Sequence, residues 1–283
     1  MIFSPYDNAS CGDESIGFLA LAISLFPIIL PSATIQPFNV GYQNKELTFG
    51  DNAFVVQSFV PVGVAADEIT LGNVAVTEDW DAAEGDFIAK LLPSGASSAE
   101  YTYLNADYSD ALGGTGPGWY LLSEVNDGDV SVSGCQNAVL LSQVEGFLAY
   151  NNTGASLVFA GEVQKGATEL KTTLGNNAFS GNASPVDMKI ADLTVSEDWD
   201  AAEGDFIAVL LPSGASAAEY TYLNADYSDA LGGTGPGWYL LSEVNEGDVS
   251  VGGCQNDKVD IAAGQGFMIY QNTGAKVYLP SVL

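Results

Sequence analysis

Residues 78 to 132 and 197 to 251 are one sequence written twice at a constant offset of 119, and only three of the 55 positions differ: Lys90/Val209, Ser98/Ala217 and Asp127/Glu246. Whatever this block folds into, it must fold into twice. Outside it the likeness weakens but continues: LTFGDNAF (47 to 54) answers TTLGNNAF (172 to 179), GFLAYNNTGA answers GFMIYQNTGA, and SLVF answers KVYL. Each unit is therefore about 120 residues, the scale of a domain with its own core and far above a solenoid period. The units run over 36–160 and 161–283, and residues 1–35 belong to neither.

Within a unit the apolar residues fall in short runs rich in Val, Ile, Phe and Tyr, such as AFVVQSFV, DFIAKLL, EYTYL, GWYLL and GFLAYN. Several alternate with period two, and LPSGAS, LGGTGPG, NDGD and NNTG separate them with turn chemistry. No 3.6-residue apolar stripe stands out. The pattern predicts an all-β fold, two tandem copies of a β-sandwich or small barrel with about eight strands each, as sequences of this strand spacing adopt.

Residues 16 to 31, IGFLALAISLFPIILP, form an apolar arm broken by Pro27, with acidic residues upstream and no basic residue before Lys45. A secretory signal would carry a positive leader, and a membrane helix about 18 or more apolar residues without a central Pro, so neither label fits. The arm is expected to cover a hydrophobic surface, because burying one Leu, Ile or Phe contributes about 1.5–3 kcal/mol. Phe18, Leu19, Leu21, Ile23, Leu25, Phe26, Ile28, Ile29 and Leu30, with Val277 and Leu279 at the far end, are the expected assembly contacts. In this reading the arm of one subunit pairs with a sheet edge of the next, head to tail, and the junction between subunits imitates the junction within one.

Charge narrows the partners. There are 36 Asp and Glu against 7 Lys, with neither Arg nor His, for a formal net charge of −29. Without His there is no Ser-His-Asp or Cys-His nucleophile and no imidazole base. Without Arg there is no bidentate phosphate clamp, and the field repels nucleic acid and anionic lipid. A salty, divalent-rich extracellular or cell-surface setting suits such charge, since screening relieves self-repulsion. Of the three cysteines, Cys135 and Cys254 occupy the same place in the two units and are poorly placed to pair with each other. They read as buried thiols, with an intermolecular bridge through Cys11 as the alternative.

Two repeated motifs carry chemistry. DWDAAEGDF places Asp79, Asp81, Glu84 and Asp86 in the first unit and Asp198, Asp200, Glu203 and Asp205 in the second. Closely spaced carboxylates around a Gly can hold calcium, although they fit the EF-hand pattern poorly and equally describe a solvated acidic turn. EYTYLNADYSDALGGTGPGWY supplies Tyr101, Tyr103, Tyr108, Trp119 and Tyr120, repeated as Tyr220, Tyr222, Tyr227, Trp238 and Tyr239, with Tyr101, Tyr103, Trp119, Tyr220, Tyr222 and Trp238 as the candidate ligand rings. Rings among amides and carboxylates suit a neutral glycan, and suit core packing as well. The triplets at Asn8, Asn151 and Asn182 match the glycosylation acceptor pattern at the level of chance.

LTFGDNAF, GFLAYNNTGASLVFAGEV and GQGFMIYQNTGAKVYL resemble the repeating β-domains of uncharacterised exported tandem β-domain proteins of environmental bacteria. The resemblance covers both repeats but not the arm, implies export and a sandwich-like domain, and transfers no active site. The near-identity of the central block implies either recent copying or two copies presenting one surface to one kind of neighbour. The expectation is a non-enzymatic structural subunit of an extracellular filament or surface assembly. The alternative is a tandem carbohydrate-binding or adhesion module, and a carboxylate-only hydrolase is a third class.

Overall fold

The computed structural model describes residues 40–46, 50, 52–56, 59–92, 98–141, 145–163, 167–170, 172–210 and 217–281. The arm residues Phe18 to Leu30 lie outside the described residues. The first repeat contains β1 (Val40–Glu46), β2 (Asn52–Val55), β3 (Phe59–Val60), β4 (Ala75–Val76) and β5 (Phe87–Leu91). It continues with β6 (Ser98–Leu104), α1 (Ala106–Ala111), β7 (Gly118–Leu121), α2 (Leu122–Asp127), β8 (Phe147–Tyr150) and β9 (Ser156–Val163). The second holds β10 (Thr168–Glu169), β11 (Asn176–Gly181), β12 (Met188–Lys189), β13 (Thr194–Val195), β14 (Phe206–Leu210) and β15 (Ala217–Leu223). After α3 (Ala225–Ala230) come β16 (Gly237–Leu240), α4 (Leu241–Glu246), β17 (Asp260–Ile261), β18 (Gly266–Gln271) and β19 (Val277–Leu279).

The fold is all-β. Each repeat has a five-stranded antiparallel sheet, ordered β2-β8-β5-β6-β7 in the first and β11-β18-β14-β15-β16 in the second. A smaller sheet centres on β9 or β19: β1, β3 and β4 pair with β9, and β10 and β13 with β19. Each repeat also has a core of its own. Ile88, Trp119, Phe147, Leu157 and Phe159 anchor the first, and Ile207, Trp238, Phe267, Ile269 and Val277 the second. Val277 and Leu279, expected as assembly contacts, are 0% and 5% exposed on β19 inside the second core. Alternation along KVYLP points both inward, which removes them from any assembly surface.

The short helices were not apparent in the sequence. Six residues give less than two turns, too few to show a 3.6-residue stripe. Their termini did leave signals. The Asn105 side chain accepts from the Tyr108 N–H at 2.9 Å to cap α1, and Gly128, at φ 79°, closes α2 in the left-handed conformation. α3 and α4 repeat both features with Asn224 and Gly247.

The repeats meet through the edges of their five-stranded sheets, and the junction is two-fold in form. Val55 bridges Gln265 antiparallel, and the Val56 N–H donates to the Gly264 carbonyl at 3.1 Å. Reciprocally, the Gly146 N–H donates to the Phe179 carbonyl at 2.8 Å. Gly146 and Gly266 are counterparts in the paired GF motifs, as Phe54 and Phe179 are in the paired NAF motifs. A Cβ on Gly266 would lie 2.7 Å from the Val55 nitrogen, and one on Gly146 would lie 2.9 Å from the Ser180 carbonyl oxygen. Both glycines thus permit the other repeat's backbone to approach. Phe54 and Phe179 face each other on the axis with ring centroids 4.8 Å apart. A surface that meets its own counterpart closes on itself, so the junction within the chain is unlike one that repeats by translation.

The symmetry breaks at two places. Val56 is fully buried and packs into the core of the second repeat, whereas its counterpart is Gly181. Beside the junction, in a cleft lined by Leu92, Thr173 and Asn177, Lys90 pairs with Glu145 at 2.8 Å; the second repeat has Val209 and Gln265 there.

Candidate functional site

At the far end of each five-stranded sheet, the DWDAAEGDF loop folds back against the start of the first short helix of the repeat. Trp80 anchors it: the indole N–H donates to the Thr102 hydroxyl at 3.3 Å, and that hydroxyl donates to the Asp86 carbonyl at 2.6 Å. The Trp80 ring meets Trp119 edge-on at 5.6 Å, and Tyr103 meets the same Trp119 at 5.8 Å. Such edge-to-face pairs add about 0.5–1.5 kcal/mol beyond their buried area.

Asp86 is fully buried, and its carboxylate is occupied by the protein. One oxygen accepts from the Asn152 N–H at 2.5 Å; the other accepts from the Thr153 hydroxyl at 2.5 Å and the Asp81 N–H at 3.0 Å. The Asn152 side chain returns the contact by donating to the Glu84 carbonyl at 2.8 Å. The acidic loop is thereby stapled to the NNTG turn. In the second repeat Asp205 accepts from Asn272 at 2.6 Å, Thr273 at 2.5 Å and Asp200 at 3.0 Å, and Asn272 donates to the Glu203 carbonyl at 2.9 Å. A buried carboxylate needs such donors in place of water.

This arrangement corrects the calcium expectation for its central members. Asp86 and Asp205 spend their oxygens on internal donors, and Asp81 and Asp200 each accept from the N–H two residues on, at 2.8 Å. Asp79, Glu84, Asp198 and Glu203 are exposed. No group of three His, Cys, Asp or Glu among the described residues is placed to hold a metal. The geometry is that of an acidic turn held by its own backbone.

The outer face of the loop does form a groove of about 530 Å³, lined in part by Glu78, Asp79, Asp81, Tyr103, Asp107 and Tyr108. The structure therefore joins the two sequence motifs, but with only part of the expected set of rings. Trp119 and Trp238 are 0% and 1% exposed and Tyr101 and Tyr220 are also buried, so these four are core residues with no face to offer a glycan. Tyr103 remains half-buried at the groove, its phenol pushed up by burial, as is that of Tyr101. Tyr222 holds the corresponding half-buried place in the second repeat, against Trp238 at 5.8 Å. Tyr108 belongs to the aromatic motif read from the sequence; Asn105 and Asp107 do not, and their signal is the capping Asn at the start of a six-residue helix. The groove offers acceptor oxygens and phenols, a surface for hydroxyl-rich or cationic molecules.

Three further sequence expectations meet the structure nearby. Asn151 and Asn182 are fully buried and donate their side-chain N–H groups to backbone carbonyls, so the folded chain presents neither for glycosylation. Cys135 is disulfide-bonded and Cys254 is a partly exposed free thiol, so neither is the buried thiol expected. The outer sheet edges are closed by local loops. Trp119 on β7 receives from Gln136 N–H at its carbonyl, at 2.6 Å, and donates its own N–H to the Asn137 side chain at 3.0 Å; Gln255 and Asn256 repeat this at Trp238. Such capping blunts an edge against pairing.

No family model, curated protein or solved structure matches the chain. No described helix is long and apolar enough to cross a membrane.

Proposed function

We propose that the chain is a structural subunit of an extracellular or cell-surface assembly of its own copies, built from two β-sandwich or small-barrel repeats. One observation carries this reading: each repeat recognises the other by backbone pairing through a self-complementary edge, with two glycines placed for the approach. The arm over residues 1–35 supplies a second apolar element for joining copies, and the acidic surface suits a medium in which charge is screened. The resemblance to exported tandem β-domain proteins points to the same location.

Electron microscopy of the purified protein tests it. Filaments or sheets are expected with calcium and with chelator alike, since the central carboxylates already have protein donors. Deleting residues 1–35 is expected to shorten or abolish the polymers. Dispersed particles under every condition would remove the assembly reading.

The second reading, a glycan-binding module, is favoured by the groove where Tyr103 and Tyr108 lie among Asn105 and Asp107. Binding of monomer to a glycan array, lost on Tyr103→Ala with Tyr222→Ala, would support it.

A further inference from the structure

We propose that the junction between the two repeats also forms between chains, so that copies exchange repeats through the surface that closes each one on itself. This rests on the assembly reading and names the surface responsible.

When repeat 2 of one copy meets repeat 1 of another, Val56 N–H finds the Gly264 carbonyl, Gly146 N–H finds the Phe179 carbonyl, and Phe54 finds Phe179, as they do within a chain. Closed and exchanged forms therefore share every junction contact and differ in the connection and in the entropy of association. The connection is short, since only four residues separate Val163 at the end of β9 from Thr168 at the start of β10. Short connections between paired elements promote exchange, because relieving them costs no contacts. An opened chain exposes unpaired backbone on β2 and β11 together with Val56, and such an edge captures a matching one.

The asymmetries select the partner. Pairing two first repeats would set a second Val56 in the place that Gly181 fills, where a Cβ already lies 3.0 Å from the Val56 Cγ1 of the facing repeat. Pairing two second repeats would leave the Val56 site in the core empty. First-with-second pairing avoids both, so exchange proceeds from repeat 1 of one copy to repeat 2 of the next. Reciprocal exchange gives a closed dimer, and passing the exchange onward gives an open chain.

The test mixes full-length chains of natural and heavy isotopic mass, partly unfolds them in urea, refolds them at high concentration and reads native mass spectra. Oligomers containing both masses are expected. Inserting a Gly/Ser stretch of about eight residues after Val163 is expected to lower their fraction about tenfold, since a longer hinge disfavours exchange. Gly266→Val is expected to abolish them by blocking the approach of Val55, and Val56→Ala to reduce them if the valine variant does not fold. Monomers alone in every mixture would overturn the inference and the assembly reading together. Mixed oligomers indifferent to the insertion and to Val56→Ala would overturn the junction's part and leave the assembly reading standing.

Discussion

The two repeats are nearly identical over residues 78–132 and 197–251 and differ at several positions where they meet. Residues 78–132 and 197–251 include β5 to β7 and α1 with α2, and their counterparts, and the loop geometry agrees to within about a tenth of an ångström: the Thr153–Asp86 and Thr273–Asp205 bonds are both 2.5 Å. At the junction Val56 stands against Gly181 and Glu145 against Gln265, and Lys90/Val209, one of the three differences in the block, lines the cleft beside it. A two-fold surface requires like to meet like. A single chain can then improve it by making the two sides unequal, since each side needs to fit only the other. Divergence at the junction is open to a duplicated chain, and the preserved block touches the other repeat chiefly near Lys90, where it too has changed.

That comparison is most strongly tested at the staple. Asp86→Ala strands the N–H groups of Asp81 and Asn152 and the Thr153 hydroxyl, an expected loss of about 3–5 kcal/mol in urea denaturation. Asp205→Ala should cost the same; a twofold difference between them would break the equivalence of the outer regions. Next in size is Val56→Ala, expected to remove about 2 kcal/mol from the second repeat alone, as reported by hydrogen exchange at Ile269 and Phe267. Equal losses in both repeats would mean that Val56 serves the junction generally and is no one-sided insertion.

A subtler contrast lies in the tryptophans. The Trp119 indole N–H donates to the Val74 carbonyl at 3.1 Å, while the Trp238 indole N–H is buried with no partner among the described residues. Trp119→Phe should therefore cost about 1–2 kcal/mol more than Trp238→Phe, since only the first removes a bond. The smallest effect is a titration. Ser131 donates its hydroxyl and N–H to Asp129, and Ser250 donates likewise to Asp248, holding both exposed carboxyls below their usual range. A carboxyl with a lowered folded pKa contributes stability above its unfolded pKa and loses it as the pH falls through the folded value. Ser131→Ala is expected to move the NMR titration of Asp129 upward and leave Asp248 unchanged.

The all-β class and the duplication could be read from composition and spacing, because strand alternation and an exact offset are local properties. The staple could not, since it joins Asp86 to a turn 66 and 67 residues away, although NTG in both copies marked the turn. The aromatics misled in a definite way. Trp119 and Tyr101 belong to strands covered on both faces where the rings lie, since Tyr120 and Thr102, beside them in sequence, are buried as well. The junction depended on Gly146 and Gly266, whose role is the absence of a side chain, and periodicity carries no record of that.

A two-fold junction also counts in pairs. Long stretches of identical sequence invite unequal recombination, which adds or removes whole units, yet a third repeat would find both existing surfaces occupied. It would display β2-like backbone and an unshielded phenylalanine with nothing to meet. Arrays with an even number of units can satisfy themselves, and odd ones must recruit from another molecule. Parity, more than length, would decide which descendants of this chain stay single.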